Sequence, residues 1–406
     1  MTTPTSIVVA GAGQAGLQIA ASLRQAGYDG SVVLVGDEAH LPYQRPPLSK
    51  AFLKRESDAD KLLLRVNDFF KANKIDLALG GGVESIDRTK RRVVLKDGLS
   101  LPYDKLAIAT GVRARPLELV GARLANVHTL RSIGDANALL DGIEAGGEIV
   151  IVGGGFIGLE VAACAASLGK KVTVLEASPR VMGRAVAPET SAFFERMHAG
   201  LGVSVRTSAE IAKIRGDDRA TGVELCDGTV IPCDLVLIGV GAVPNVEIAT
   251  TAGLACANGV VVDAQCRTSD PDILAVGDCA SHPNQFANGL FRLESVQNAI
   301  DQSKVAAGTM LGAEKEYNVA PWFWSDQGPF KLQTTGLPID VEERVVRGST
   351  EDGKFSVFHL RGGRIAAVDS VNAPADHMIS RRLVTARTAA TAGILGDPSI
   401  DLKTLL

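Results

Sequence analysis

"SIVVAGAGQAGLQIAASLRQAGYDGSVVLVGDE", residues 6 to 38, runs from an apolar strand through glycines at 11, 13 and 16 into an amphipathic helix, a second apolar strand and an acidic end. In such a loop the first glycine permits a tight turn and the second lets backbone approach a pyrophosphate. The third lets the helix pack closely on the strand. The helix N-terminus, with unpaired N–H groups and partial positive charge, then faces the phosphates. A lone GxGxxG also serves ordinary turns; the flanking strands, the helix and Asp37-Glu38 are what make this one a dinucleotide site. "EIVIVGGGFIGLEVAACAASLGKKVTVLEAS", residues 148 to 178, repeats the plan with Gly153, Gly155, Gly158 and a closing Glu176. An acid there accepts hydrogen bonds from a ribose 2'-OH and repels a 2'-phosphate, which favours NADH over NADPH. Arg180 and Arg184, close behind, leave a phosphate contact open.

Strand-helix-strand alternation predicts parallel sheets, because parallel neighbours need a crossover helix. Units starting at residues 6 and 148 are too far apart for a solenoid repeat, so a domain type is duplicated. "RRVVLKDGLSLPYDKLAIATGVRARP" (91–116) reads as a hairpin turning near Asp97-Gly98, followed by an apolar strand ending at Thr110-Gly111. "TGVELCDGTVIPCDLVLIGVGAVPN" (221–245) repeats it. From about residue 319 the pattern changes to "PWFWSDQGPFKLQTTGLP", then "KFSVFHLRGGRIAAVDSV" with a Gly-Gly turn, then a helix-like "ADHMISRRLVTARTAAT" closed by Gly393. The expected fold is α/β: two Rossmann-like dinucleotide-binding domains plus a C-terminal α+β domain.

A chain of 406 residues suits two or three domains, since single cores rarely exceed about 250 to 300 residues. With 46% hydrophobic and 22% charged residues and a net charge of −4, the composition is that of a soluble globular protein, with no sign of nucleic-acid binding. Residues 1 to 10 lack a charged leader and a cleavage site, and no apolar run reaches the ~18 residues of a membrane span, so a cytoplasmic protein is expected. The six cysteines form no CxxC and read as reduced, mostly buried thiols. The six histidines show no HxxxH or similar pairing, and no metal is expected.

Seven motifs in order carry a resemblance: "GAGQAG" (11–16), "RPPLSK" (45–50), "ATG" (109–111), "GGGFIGLE" (153–160), "GVGAVPN" (239–245), "AVGDCA" (275–280) and "PWFWSDQ" (321–327). The chain resembles a ferredoxin reductase of the putidaredoxin-reductase type, within the two-dinucleotide-binding flavoprotein superfamily. The glycine loops are shared across that superfamily; "RPPLSK" and "FWSDQ" discriminate more. The resemblance implies tightly bound FAD at the first loop and exchangeable NADH at the second. It implies an FAD-binding domain in two parts, 1–112 and 239–318, around an NAD-binding domain, 113–238, with an interface domain at 319–406. The cofactor-binding residues it implies are Gly11, Gly13, Ala15, Gly16, Asp37, Arg45, Lys50, Val83, Ala109, Thr110, Gly111, Arg131, Gly277, Asp278, Ser295, Val296 and Trp324, with Gly153, Gly155, Ile157, Gly158, Glu160, Glu176, Arg184 and Gly241. "RLESVQNAIDQSKVAAGTML" (292–311) is expected as a helix whose first amides, around Glu294 to Gln297, face the flavin pyrimidine oxygens.

The resemblance also places Lys50 beside the flavin, paired with Glu160. Physically, Glu160 would be costly to bury alone, and an ammonium near flavin N5 favours the reduced anion. Trp324 is placed near the flavin edge that faces a partner, with core packing as the open alternative. Lys50, Glu160 and Trp324 are catalytic only in a loose sense, since no acid, base or nucleophile is required.

Many superfamily relatives pass electrons to cysteine soon after the first unit, but "HLPYQRPPLSKAFL" has none. Electrons must then leave from the flavin itself. The expected activity is NADH to FAD to a [2Fe-2S] ferredoxin that serves an oxygenase, such as a cytochrome P450 or ring-hydroxylating dioxygenase. Rubredoxin reductase, NADH oxidase and a redox-responsive interaction flavoprotein are the alternatives. Arg381, Arg382 and Arg387, expected on the tail helix, are read either as a docking face for an acidic ferredoxin or as a solvated face.

Overall fold

Valine and isoleucine on both sides of the first glycine loop pair in register, Ile7 with Val32 and Ala10 with Val35. They form the centre of a five-stranded parallel sheet, in the order Ile273–Ala275, Lys105–Ile108, Ser6–Ala10, Ser31–Val35, Ile75–Ala78. The computed structural model describes residues 4–406. Two compact units divide the chain: the first takes the described residues up to Gln44, Ala59–Arg113 and Val243–Pro321, the second Arg45–Asp58, Ala114–Ala242 and Trp322–Leu406.

In the first unit, helix Gln14–Gln25 packs Leu17, Ile19 and Leu23 on one face of the sheet, together with Ala306, Ala307 and Met310 of helix Val296–Met310. The other face packs Val8, Leu106 and Ile108 against Ile86, Val93 and Leu95 of a three-stranded antiparallel sheet. Each leucine or isoleucine removed from water here contributes about 1.5 to 3 kcal/mol. The helix expected over 292–311 starts late, because strand Gly289–Arg292 precedes it and Ser295 caps it by accepting from the Asn298 amide at 3.0 Å.

The second unit repeats the parallel sheet, in the order Ser204–Arg206, Lys171–Leu175, Glu148–Val152, Leu235–Ile238, Val127–His128. Val152 pairs Leu175 as Ala10 pairs Val35 in the first unit. The tail forms a five-stranded antiparallel sheet: Trp322–Gln327, Phe330–Gly336, Arg364–Val371, Lys354–Arg361, Glu343–Ser349. Gly362 and Gly363, both at positive φ, make the tight turn read from the sequence. The tail helix is shorter than expected: it spans Pro374–Thr385, and Gly393 lies within a separate helix, Ala392–Gly396. Arg387 at φ 48 breaks the helical path, and Ala389 bridges to Arg364. Arg381 and Arg382 are therefore on the helix and Arg387 is beyond it.

Segment 45–58, expected with the first domain, belongs to the second unit, where Leu48, Phe52 and Leu53 are buried. Among the described residues, no helix is long and apolar enough to cross a membrane, and no cluster of His, Cys, Asp and Glu could hold a metal ion.

Candidate functional site

The two glycine loops share one geometry. Gly11 has φ +123, and a Cβ on it would stand 2.2 Å from the Ala109 carbonyl oxygen; Gly153 has φ +108 and would meet the Gly239 carbonyl at 2.5 Å. A Cβ on Gly16 would stand 1.8 Å from the Gly11 carbonyl oxygen, and one on Gly158 2.2 Å from that of Gly153. Packing alone therefore demands the first and third glycines. The middle glycines differ. Gly13 (φ −90) and Gly155 (φ −79) are helix N-caps in ordinary backbone, neither provides a side-chain cap, and a Cβ on either would meet nothing within 4 Å. Open space over an uncapped helix N-terminus fits a pyrophosphate, and both loops fit a dinucleotide on this ground.

The shared register also exposes an asymmetry. The residue after the second strand is Gly36 in one unit and Glu176 in the other. A Cβ at Gly36 would stand 2.8 Å from Ala12 Cβ and 2.9 Å from Leu79 Cδ2, so no acid fits there, and Asp37 follows one residue later. Glu176 is held back over its own loop, accepting from the Gly154 amide at 2.7 Å and from the Ser178 amide at 2.8 Å. Arg180, left open above as a phosphate ligand, spends its guanidinium on the carbonyls of Val186 (2.7 Å) and Gly183 (2.5 Å) and on Ser191 Oγ (2.8 Å). Arg184 is exposed.

In the first unit, the Ala109 amide donates to the Ala10 carbonyl at 2.8 Å. Thr110 Oγ1 donates to the Asn245 carbonyl (2.7 Å), Asn245 Nδ2 to the Thr110 carbonyl (2.9 Å), and the Asn245 amide to the Gly111 carbonyl (3.0 Å). Gly277, at φ +75, donates to Gln302 Oε1 at 2.7 Å, and a Cβ on it would crowd Ala15 at 3.2 Å. Asp278 follows in a one-turn helix, Ser295 caps the helix that Val296 begins, and Val83 opens strand Val83–Asp87. Asn245 and Gln302 were not singled out from the sequence; their partners are remote in the chain. In the second unit, Arg45 donates to the Arg131 carbonyl at 2.7 Å, Gly241 accepts from the Arg115 amide at 2.9 Å, and Ile157 is exposed at the start of its helix.

Helix Phe156–Ser167 carries Glu160, which is 5% exposed. Glu160 Oε2 accepts from Ser49 Oγ at 2.5 Å and Lys50 Nζ at 2.6 Å, while Oε1 accepts from Ser325 Oγ at 2.6 Å. The structure thus brings Lys50 and Glu160 together and adds two serines. A carboxylate so buried is tolerated because a charge and two further donors meet it. Cys164, one turn on, lies 3.8 Å from the Lys50 carbonyl, and burial pushes its thiol up to about 11. Burial also raises Cys279 of "AVGDCA", so neither is a thiolate nucleophile near neutral pH. All six cysteines are unbridged.

Strand Trp322–Gln327 alternates its faces. Phe323 packs on Phe156 of the Glu160 helix with ring centroids 4.6 Å apart, and Ser325 reaches Glu160 from the same side. Trp322 and Trp324 lie 5.7 Å apart, both half-buried, and the Arg381 guanidinium sits 4.9 Å over Trp322.

Two open glycine loops and a buried carboxylate-ammonium pair define an oxidoreductase built on paired dinucleotide folds. The chain belongs to the pyridine nucleotide-disulphide oxidoreductase family, whose model matches residues 5–303, with a reductase C-terminal domain at 322–406. It uses FAD and NAD(H). It is 45% identical over 399 residues to rhodocoxin reductase of Rhodococcus erythropolis, covering 98% of this chain and 93% of that one. A ferredoxin reductase for the CYP199A2 system from Rhodopseudomonas palustris superposes with a TM-score of 0.96 at 44% identity, covering 98% and 99% of the two chains. A covalent putidaredoxin reductase-putidaredoxin complex matches with a TM-score of 0.96 at 40% identity, covering 100% and 98%.

Proposed function

We propose that the chain is an NADH-dependent ferredoxin reductase that feeds an oxygenase, a cytochrome P450 or a ring-hydroxylating dioxygenase. FAD held at the first loop would supply an acceptor for the two-electron hydride of NADH and a one-electron donor to two [2Fe-2S] ferredoxins in turn, with the proton released to solvent. What supports this most is that the likeness to reductases of rhodocoxin, a ferredoxin and putidaredoxin covers nearly the whole of both chains, including the strand that carries Trp324 and Ser325.

The residues have separate tasks. The loop at Gly11, Gly13 and Gly16 holds the FAD pyrophosphate, with Asp278 and the amides near Ser295 and Val296 as further contacts. The loop at Gly153, Gly155 and Gly158 receives NADH, whose ribose hydroxyl goes to Glu176. NADH is preferred to NADPH because Glu176 repels a 2'-phosphate and Arg180 is already engaged. Lys50 stands as the ammonium beside the flavin, and Glu160, 2.6 Å from its Nζ, holds it in place. Trp324 lies at the edge through which electrons leave. Residues 1–112 and 239–318 serve FAD, 113–238 serves NADH, and 319–406 meets the partner. Unbridged cysteines suit a reducing cytoplasm.

The test is NADH oxidation with cytochrome c as electron sink, with and without a [2Fe-2S] ferredoxin. Strong acceleration by ferredoxin is expected. Acceleration by rubredoxin alone, or full turnover with oxygen alone, would replace this reading by rubredoxin reductase or NADH oxidase, and no turnover with any acceptor would favour a signalling flavoprotein.

A further inference from the structure

Glu160 is reached from one side by Lys50 and Ser49 and from the other by a buried polar chain that none of the tasks above uses. Ser325, Gln327 and His198 are each 0% exposed. Ser325 Oγ lies 2.6 Å from Glu160 Oε1, Gln327 Nε2 lies 3.3 Å from Ser325 Oγ, and Gln327 Oε1 lies 3.0 Å from His198 Nε2. Three elements contribute: helix Pro188–Gly200, strand Trp322–Gln327 and helix Phe156–Ser167.

The direction of every bond follows from the carboxylate. An ionised carboxylate only accepts, and a serine hydroxyl has one proton, so Ser325 donates to Glu160. Ser325 must then accept from Gln327, which turns the amide nitrogen toward it. The second N–H of that nitrogen finds the Met182 sulfur at 3.4 Å, a weak acceptor. Gln327 Oε1 is thereby turned to His198, whose Nε2 must carry a proton. Burial lowers the His198 pKa, so the ring is neutral and this tautomer is fixed by its one polar neighbour. All the donors point toward Glu160.

We propose that Ser325 is a positioning residue for the Glu160–Lys50 pair, held in that role by the one-way chain through Gln327 to His198. With Oε1 fixed by Ser325, Oε2 is the oxygen that meets Ser49 and Lys50, and the ammonium keeps one place. Removing the hydroxyl leaves a buried carboxylate oxygen without its donor, and the carboxylate turns toward Lys50 and Ser49 to recover one. The inference rests on Lys50 serving the flavin, as proposed above.

The test is a double-mutant cycle on the flavin-loaded protein: anaerobic reduction by saturating NADH, and redox titration of the bound flavin, for wild type, Ser325→Ala, Glu160→Gln and the double variant. Ser325→Ala is expected to slow reduction about tenfold, the effect of one charge-assisted hydrogen bond, and to lower the flavin midpoint potential. Both effects are expected to vanish in the Glu160→Gln background. Equal losses in both backgrounds, or no loss in either, overturn the proposal. Should Ser325→Ala lose its flavin, Gln327→Met keeps the volume and cuts the chain: slower reduction in the Glu160 background alone supports the proposal, and any other result overturns it. No ferredoxin enters these measurements, so they stand apart from any failure of the ferredoxin assay.

Discussion

Gly155→Val is expected to fold, to hold its flavin and to bind NADH at least about a hundredfold more weakly. The backbone of Gly155, at φ −79 and ψ −179, is an extended conformation that valine adopts readily. Its Cβ would meet nothing within 4 Å, so the substitution costs the fold little. The valine methyl groups would instead fill the space above the N-terminus of helix Phe156–Ser167. Losing two amide-to-phosphate hydrogen bonds at roughly 1.5 kcal/mol each accounts for about two orders of magnitude in affinity. Gly158→Ala is the contrasting variant: its methyl would stand 2.2 Å from the Gly153 carbonyl oxygen, and the protein should be destabilised. Anaerobic NADH titration and thermal melting separate the two. Unchanged NADH affinity in Gly155→Val would make the second loop a bare structural turn.

Lys50→Met is expected to slow flavin reduction by NADH on the order of a hundredfold, the lower end of what one preorganised electrostatic contact is worth, with NADH affinity little changed. Lys50 Nζ lies 2.6 Å from Glu160 Oε2, and the pair is shielded on the glutamate side, which is 5% exposed against 21% for the lysine. Methionine keeps most of the apolar stem and removes the charge together with the donors to Glu160, the Pro46 carbonyl and Ser49. Glu160 retains its bonds to Ser49 and Ser325, so the stability loss stays near 2 kcal/mol, below the 3 to 5 kcal/mol of a fully buried pair cut in half. Stopped-flow reduction and the charge-transfer absorbance of the NADH-treated protein are the measurements. If both match wild type, Lys50 and Glu160 are a structural pair with no part in hydride transfer.

The parts legible in the sequence are those whose cause is local. Gly11, Gly16, Gly153 and Gly158 are required by backbone only a few residues away or at the end of a neighbouring strand, and the strand-helix-strand spacing gave both sheets. Glu160 and Lys50 were brought together by resemblance, since 110 residues separate them and no periodicity relates them. Ser49, Ser325 and Gln327 lie within "RPPLSK" and "PWFWSDQ", but neither they nor His198 carry a spacing signature that assigns a partner: Ser49 meets Glu160 from the segment before Lys50, Ser325 only where the tail strand packs on the Glu160 helix, and His198 reaches the group through Gln327. The position after the second strand shows the converse limit. Two sequences of the same pattern, "VLVGDE" and "VTVLEAS", suggest equivalent acids, yet Ala12 and Leu79 force glycine at 36 while Glu176 has room. Nearness in sequence leaves a phosphate contact open for Arg180, whereas its guanidinium ties down the loop that follows. The tail helix was overextended because alanine and threonine after Thr385 continue a helical composition that the left-handed Arg387 interrupts.

The most direct test of the electron path is a single anaerobic mixing experiment: flavoprotein reduced by one equivalent of NADH is mixed with excess oxidised [2Fe-2S] ferredoxin and followed at the flavin and iron-sulfur absorbances. Rapid reoxidation of the flavin, with two ferredoxins reduced per flavin, is the expected result. A flavin that stays reduced until air is admitted would contradict it.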